Sequence, residues 1–199
     1  MSSSLAFVFP GQGSQSVGMV ADLAAIDPSV RATFDEASEG AGVDLWTLSQ
    51  QGPDDQLNQT EYTQPALLAA SVAVWRLWQA RGGAMPSALA GHSLGEYSAL
   101  VAPGGIDLRD AAKLVRLRGQ LMQAAQAAGT GAMVAVLGAE DAVIEAACAD
   151  AAQGEVVVPA NYNTPGQVVI GGHVAAVDRA VALLAERGVR KAVKLSVSV

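Results

Sequence analysis

The run Gly91-His92-Ser93-Leu94-Gly95 constrains this chain more than any other stretch. It is a G-x-S-x-G sequence set between the short apolar run Ala88-Leu89-Ala90 and the helix-forming run Glu96-Tyr97-Ser98-Ala99-Leu100. That order predicts a strand, a tight turn and a helix. Glycines on both sides permit a turn too sharp for side chains. A serine at its apex is exposed as a nucleophile, and the N–H of the next residue is placed to meet a developing oxyanion. An isolated G-x-S-x-G would often be an ordinary Gly-rich turn; here the flanking pattern favours a serine for acyl transfer. Such a serine needs a base, and the chain has only two histidines.

With 199 residues, 51% of them hydrophobic, the chain can form one substantial core or two small domains. A net charge of -7 and the lack of a long basic run argue against a nucleic-acid partner. The single cysteine, Cys148, rules out an internal disulfide framework and reads as a small core residue on a helix. No apolar stretch approaches the roughly 20 residues of a membrane span. Met1-Ser2-Ser3-Ser4 lacks the basic start of a secretory signal. A reducing, cytoplasmic setting is expected.

The first part reads as α/β. Leu5–Phe9 is a buried strand, followed by the loop Pro10-Gly11-Gln12-Gly13-Ser14-Gln15 and helices over Val17–Ala25 and Ser29–Gly40. Pro65 is read as the first residue of an apolar helix ending near Ala80, a position that tolerates proline. After the serine turn comes a helix over Leu108–Ala125, capped by Asp107. The Ala/Gly-rich stretch from Ala124 to Gly131 marks a change of rhythm. Beyond it, strands over Ala132–Leu137, Glu155–Ala160, Gln167–Ile170 and Ala192–Val199 and helices over Glu140–Ala152 and Val174–Arg187 follow the order β-α-β-β-α-β, a ferredoxin-like pattern. The expected division is 1–127 and 128–199.

Several positions carry chemistry. Ser93 is the candidate nucleophile and Leu94 supplies one oxyanion N–H. A second donor must come from a loop after an early strand, where Gly11–Gln15 stands. A dinucleotide fingerprint fails there, because Ser16 replaces the third glycine. In the helix Leu108–Ala125, Arg118 falls on the same stripe as Ala111, Leu114, Val115, Leu121, Met122 and Ala125. A guanidinium on a core-facing stripe needs a partner: either a structural carboxylate or an anionic substrate. Arg109, Lys113 and Arg116 read as solvated charges on the opposite face. His92 immediately precedes the serine and is expected to point away from it. His173 reads as a surface or capping residue. No metal site is expected from two histidines without a supporting cluster. Arg187, Arg190, Lys191 and Lys194 form the densest basic cluster, either a solvated surface or a dock for an acidic partner.

These residues resemble the bacterial malonyl-CoA:acyl carrier protein transacylase family. The matching runs are Phe7–Gln15, Thr63-Gln64-Pro65-Ala66-Leu67, Gly91–Leu100, Arg118-Gly119 and Asn161–Ile170. The resemblance implies an α/β-hydrolase-like larger subdomain, incomplete here, and a smaller ferredoxin-like one. It implies that Ser93 forms a malonyl-serine ester and that the backbone N–H groups of Gln12 and Leu94 hold the oxyanion. It implies that Arg118 binds the free malonyl carboxylate and that Asn161 and Asn163 border the pocket. The acceptor is the phosphopantetheine thiol of acyl carrier protein, in a ping-pong double displacement. No cofactor is implied, since malonyl-CoA is a substrate and phosphopantetheine arrives on the carrier; the full-length protein is expected to be a monomer.

The family's basic histidine lies just after the strand that here ends at Val199. The chain is therefore expected to be an N-terminal portion with little turnover alone. Two alternatives accompany this expectation: a serine esterase built on the same elbow, and a non-catalytic fragment. Pro103-Gly104-Gly105 departs from the family's usual Ala-Gly.

Overall fold

Two short parallel strands carry the serine turn. β1 (Ala6–Phe9) pairs with β2 (Ala88–Gly91), with Ala6 opposite Ala88 and Phe9 opposite Gly91. The computed structural model describes residues 5–125 and 129–195, and the chain divides into two units, Met1–Met122 and Gln123–Val199. The sequence-based division at 127/128, the strand residues 196–199 and the start of the chain, 1–4, lie outside the described residues.

In the first unit, the loop after β1 leads to helices α1 (Ala21–Ile26), α2 (Pro28–Ala41), α3 (Leu45–Gln51) and α4 (Asp54–Leu57). The helix expected over Val17–Ala25 starts later. Gly18 N–H bonds the Ser49 carbonyl, and Val20 is left-handed with φ of 57°, so the chain turns before α1 begins. α5 (Thr60–Ala80) is the central element and buries thirteen of its residues. Pro65 does not open it but lies inside it. The first turn, Thr60–Thr63, forms without it, and proline near a helix start removes one backbone donor while its fixed φ suits the helix.

Phe7 meets the edge of Trp75 at 5.2 Å between ring centroids. Trp75 Nε1 donates to the Ala102 carbonyl at 2.8 Å, which ties α5 to the end of α6 (Gly95–Val101). The expectation of a buried strand over Leu5–Phe9 is corrected at Val8, which is 77% exposed. Among the described residues this sheet has the two strands β1 and β2.

α7 (Leu108–Ala125) runs as expected, and Asp107 caps it by accepting from Arg109 N–H at 2.8 Å. Its buried face differs from the expected stripe. Leu108, Ala111, Ala112, Val115 and Gly119 are buried, while Leu114 and Leu121 are 42% and 62% exposed. Small residues let the helix backbone pack closely, and this rotates the core face away from the larger apolar side chains. Arg116 is also reassigned. It donates to the carbonyls of Ala41 and Gly42, pairs with Glu61, and lies over the Tyr62 ring, so it clamps the end of α2 to α7 and is no solvated charge.

The second unit has the order β3 (Gly131–Leu137), α8 (Asp141–Ala152), β4 (Val157–Thr164), β5 (Gln167–His173), α9 (Val174–Glu186), β6 (Lys191–Lys194). Its sheet runs β4-β5-β3-β6, all antiparallel. That arrangement is ferredoxin-like, as the element order predicts. β3 alternates buried and half-buried residues, and Val134 and Val136 meet Ile144, Ala147, Val177 and Leu184 in one core. Cys148 belongs to that core.

Candidate active site

The serine turn is built by close approach of backbone. A Cβ on Gly91 would overlap the Gly95 carbonyl carbon, and a Cβ on Gly95 would overlap the Phe9 carbonyl. Only glycine fits at either place. The left-handed conformation falls on the serine itself, with φ of 53° at Ser93. A non-glycine residue held there costs about 1–3 kcal/mol, and such strain concentrates where a side chain must be presented. Backbone bonds from Gly95 to the His92 carbonyl (2.9 Å) and from Glu96 to the Ser93 carbonyl (3.1 Å) fix the turn. Leu94 is buried beneath it.

The loop after β1 packs against this turn: a Cβ on Gly11 would lie 2.8 Å from the His92 carbonyl oxygen. Side chains hold the loop in place. Gln12 Nε2 donates to Thr60 Oγ1 at 3.1 Å, Gly13 N–H donates to Gln15 Oε1 at 2.8 Å, and Gln15 Nε2 donates to Asn58 Oδ1 at 2.7 Å. Among the described residues, neither the Gln12 N–H nor the Leu94 N–H donates to a protein acceptor.

Arg118 reaches the serine from α7. Its Nη2 donates to Ser93 Oγ at 3.0 Å and its Nη1 to Gln64 Oε1 at 2.8 Å, with the guanidinium carbon 6.0 Å from the centre of the Tyr97 ring. Four arginines are half-buried among the described residues: Arg76, Arg116, Arg118 and Arg179. Arg76 pairs with Glu36, Arg116 with Glu61, and Arg179 with Glu155. Arg118 alone of the four has no carboxylate partner among the described residues. Of the two partners open to it from sequence, the structural carboxylate is therefore absent from the described residues.

Gln64 was legible only as part of a motif. It is fully buried, with Nε2 donating to Met122 Sδ at 3.2 Å. Nothing in its local sequence links it to a residue 54 positions away; only the packing of α5 on α7 does. Gly119 makes that packing possible, since a Cβ there would lie 2.6 Å from both Glu61 Cα and the Thr60 carbonyl oxygen.

Neither histidine accepts a hydrogen bond from Ser93 Oγ among the described residues. His92 is exposed, and its backbone N–H bonds the Phe9 carbonyl at 3.2 Å. His173 lies in the second unit, where its Nδ1 accepts from Val156 N–H at 3.2 Å and its backbone begins α9. Asn161 and Asn163 lie on β4. Arg187 pairs with Asp150, whereas Arg190, Lys191 and Lys194 are exposed. Burial pushes the Cys148 thiol up to about 11, which suits a packed side chain and not a nucleophile. Among the described residues no group of three or more His, Cys, Asp or Glu is placed to hold a metal, and no helix is long and apolar enough to cross a membrane.

A family model described as an acyl transferase domain matches residues 6–199. The chain is 59% identical over 194 residues to the malonyl CoA-acyl carrier protein transacylase of Escherichia coli (strain K12), covering 98% of this chain and 63% of that protein. A crystal structure of malonyl-CoA:acyl carrier protein transacylase from Xanthomonas oryzae pv. oryzae superposes with a TM-score of 0.96 at 72% identity, over 98% of this chain and 62% of that one. A type II PKS acyl-carrier protein in complex with its malonyl-transacylase gives a TM-score of 0.95 at 57% identity, over 99% of this chain and 64% of the matched one. The chain thus spans a little under two thirds of the length of these relatives.

Proposed function

From the premise that this chain belongs to the acyl transferase domain family, we propose that it carries the nucleophile and substrate clamp of a malonyl-CoA:acyl carrier protein transacylase. One observation carries this reading: the half-buried Arg118 guanidinium, with no carboxylate partner among the described residues, lies 3.0 Å from the serine hydroxyl. A planar donor pair matches a carboxylate. An acyl group attached at Ser93 and ending in a free acid would place that acid against Arg118.

The chemistry follows from these positions. Ser93 Oγ attacks the thioester carbonyl carbon, and the carbonyl oxygen becomes an oxyanion facing the N–H groups of Gln12 and Leu94. The serine proton passes to a base, the C–S bond breaks, and the base gives that proton to the departing CoA thiolate. The phosphopantetheine thiol then attacks the malonyl-serine ester, the C–O bond breaks, and Ser93 regains a proton. With no imidazole bonded to Ser93 Oγ among the described residues, turnover by this chain alone is expected to be slow. The exposed Arg190, Lys191 and Lys194 offer a docking face for an acidic carrier protein, while Arg187 is already engaged by Asp150. A neutral-ester hydrolase would leave the charge of Arg118 without a task, so no observation favours that alternative.

The test is a covalent one. The chain is incubated with labelled malonyl-CoA, digested, and mapped by mass spectrometry. A malonyl ester on Ser93 that is lost in Ser93→Ala is expected. Equal labelling by malonyl-CoA and acetyl-CoA would overturn the reading.

A further inference from the structure

We propose that Gln64 is a positioning residue that sets acyl selectivity by holding Arg118 with an uncharged acceptor. This rests on the role given to Arg118 above and extends it to a residue on a different helix. Gln64 is fully buried, a costly place for an amide unless its polar atoms are bonded. Both ends are bonded. A guanidinium offers only N–H groups, so the amide oxygen is the end that faces it, and the amide nitrogen turns to Met122 Sδ. The bond to Nη1 fixes the plane of the guanidinium and leaves Nη2 directed at Ser93.

The choice of an amide matters because a carboxylate would hold an arginine more strongly. Arg76, Arg116 and Arg179 are held that way. A carboxylate at position 64 would neutralise the guanidinium and compete with a substrate acid for the same N–H groups. It would also turn an oxygen instead of an N–H toward Met122 Sδ. The amide supplies orientation without spending the charge. Gly119 belongs to the same arrangement, since the backbone approach it allows to Thr60 and Glu61 brings α5 close enough for the Gln64 side chain to span the gap.

The experiment measures the rate of Ser93 acylation by malonyl-CoA and by acetyl-CoA in the wild-type chain and in Gln64→Glu, Gln64→Met and Arg118→Ala. Thermal melts are run on each. Gln64→Glu, which is nearly isosteric, is expected to lower the malonyl-to-acetyl rate ratio by roughly tenfold or more, mostly through the malonyl rate. A merely structural role would lower both rates together and leave the ratio alone. Gln64→Met removes the acceptor but keeps the charge of Arg118, and is expected to lower the ratio several-fold, by less than Gln64→Glu. If Gln64→Glu does not fold, Gln64→Met decides: a wild-type ratio there overturns the proposal. A ratio that collapses in Arg118→Ala but is unchanged in the folded Gln64→Glu chain overturns the role of Gln64 and leaves that of Arg118 standing. A ratio unchanged even in Arg118→Ala overturns the parent reading instead.

Discussion

Arg118 Nη2 lies 3.0 Å from Ser93 Oγ, so the cation meets the nucleophile directly. A positive charge facing a hydroxyl oxygen favours the alkoxide over the alcohol, and the same group can shift to a substrate acid once the serine is acylated. Arg118→Lys is expected to keep the charge but lose the planar fork. A lysine cannot bond Gln64 and Ser93 in the same fixed geometry. Malonyl acylation should fall by roughly tenfold to a hundredfold while acetyl acylation changes little. Rates of Ser93 labelling by the two thioesters check this.

The elbow is set by backbone crowding at Gly91 and Gly95, and Gly95 tests its contact with β1. In Gly95→Ala the new methyl must displace the Phe9 carbonyl at the end of β1. Pairing of β1 with β2 and the position of the Gln12 loop would shift together. A loss of roughly 2–4 kcal/mol in stability is expected, in line with overpacking where backbone cannot yield. Urea denaturation measures it. A variant as stable as the wild type would show that β1 can move at little cost.

The elbow was legible in sequence because its strand, two glycines and helix are contiguous, although its contact with Phe9 on β1 is not. The ferredoxin-like unit was legible for a similar reason, since its alternating strands and periodic helices follow one another with short turns. The failures at α7, Arg116 and Gln64 have one physical cause, which is packing between distant segments. Counting apolar residues on α7 put Leu114 and Leu121 on the core stripe, yet Ala112 and Gly119 are buried there, and Gly119 lets α7 approach the start of α5. Arg116 looked solvated because its partners, the Ala41 and Gly42 carbonyls and Glu61, are far away in sequence. Gln64 carried no local sign of its bond to Arg118. The loop carrying Gly11 does pack against His92 beside the serine, and Arg118 does turn inward, while the apolar stripe drawn through Leu114 and Leu121 does not.

Asp44 gives the stability a defined acid dependence. Its carboxylate caps α3, accepting from Thr47 N–H at 2.8 Å and from Thr47 Oγ1 at 2.7 Å. The backbone bond, then the side-chain bond, hold its pKa below the ordinary 3.8. With the folded value depressed, the stabilisation is fully present above the unfolded value and is lost as pH falls below it through the folded one. Asp44→Ala should cost about 1 kcal/mol at neutral pH, and the difference from wild type should shrink as the pH drops below about 4. Asp44→Asn keeps a capping oxygen, so it should cost less and flatten the acid limb. Chemical denaturation across pH 2.5–7 (a range of roughly this width spans the ordinary carboxylate pKa) tests both.

Cys148 should behave as a core residue. It is buried among Ile144, Ala147 and Ala151 on the inner face of α8, and its thiol, raised to about 11 by burial, is almost wholly protonated at neutral pH. Alkylation by iodoacetamide is expected to be negligible in the folded chain at pH 8 and rapid in denaturant. Fast labelling of the native chain would show that the second unit opens readily. Cys148→Ser should destabilise that unit by roughly 1–3 kcal/mol through an unpaired buried hydroxyl, with no change in the acylation of Ser93.

Gly119 connects the packing of the first unit to its chemistry. It sits beside Arg118 on α7, and the methyl of Gly119→Ala would lie 2.6 Å from Glu61 Cα and the Thr60 carbonyl oxygen. Both are backbone atoms near the start of α5, so the two helices must separate. Alanine is the better helix former by about 1 kcal/mol, and a substitution acting only through propensity would stabilise the chain. Separation of α7 from α5 would instead stretch the 2.8 Å bond between Arg118 and Gln64 and release the guanidinium from its plane. Gly119→Ala is therefore expected to lower stability by roughly 1–3 kcal/mol and to lower the malonyl-to-acetyl labelling ratio with it. A stabilised variant with an unchanged ratio would mean that the approach of these helices does not set the position of Arg118.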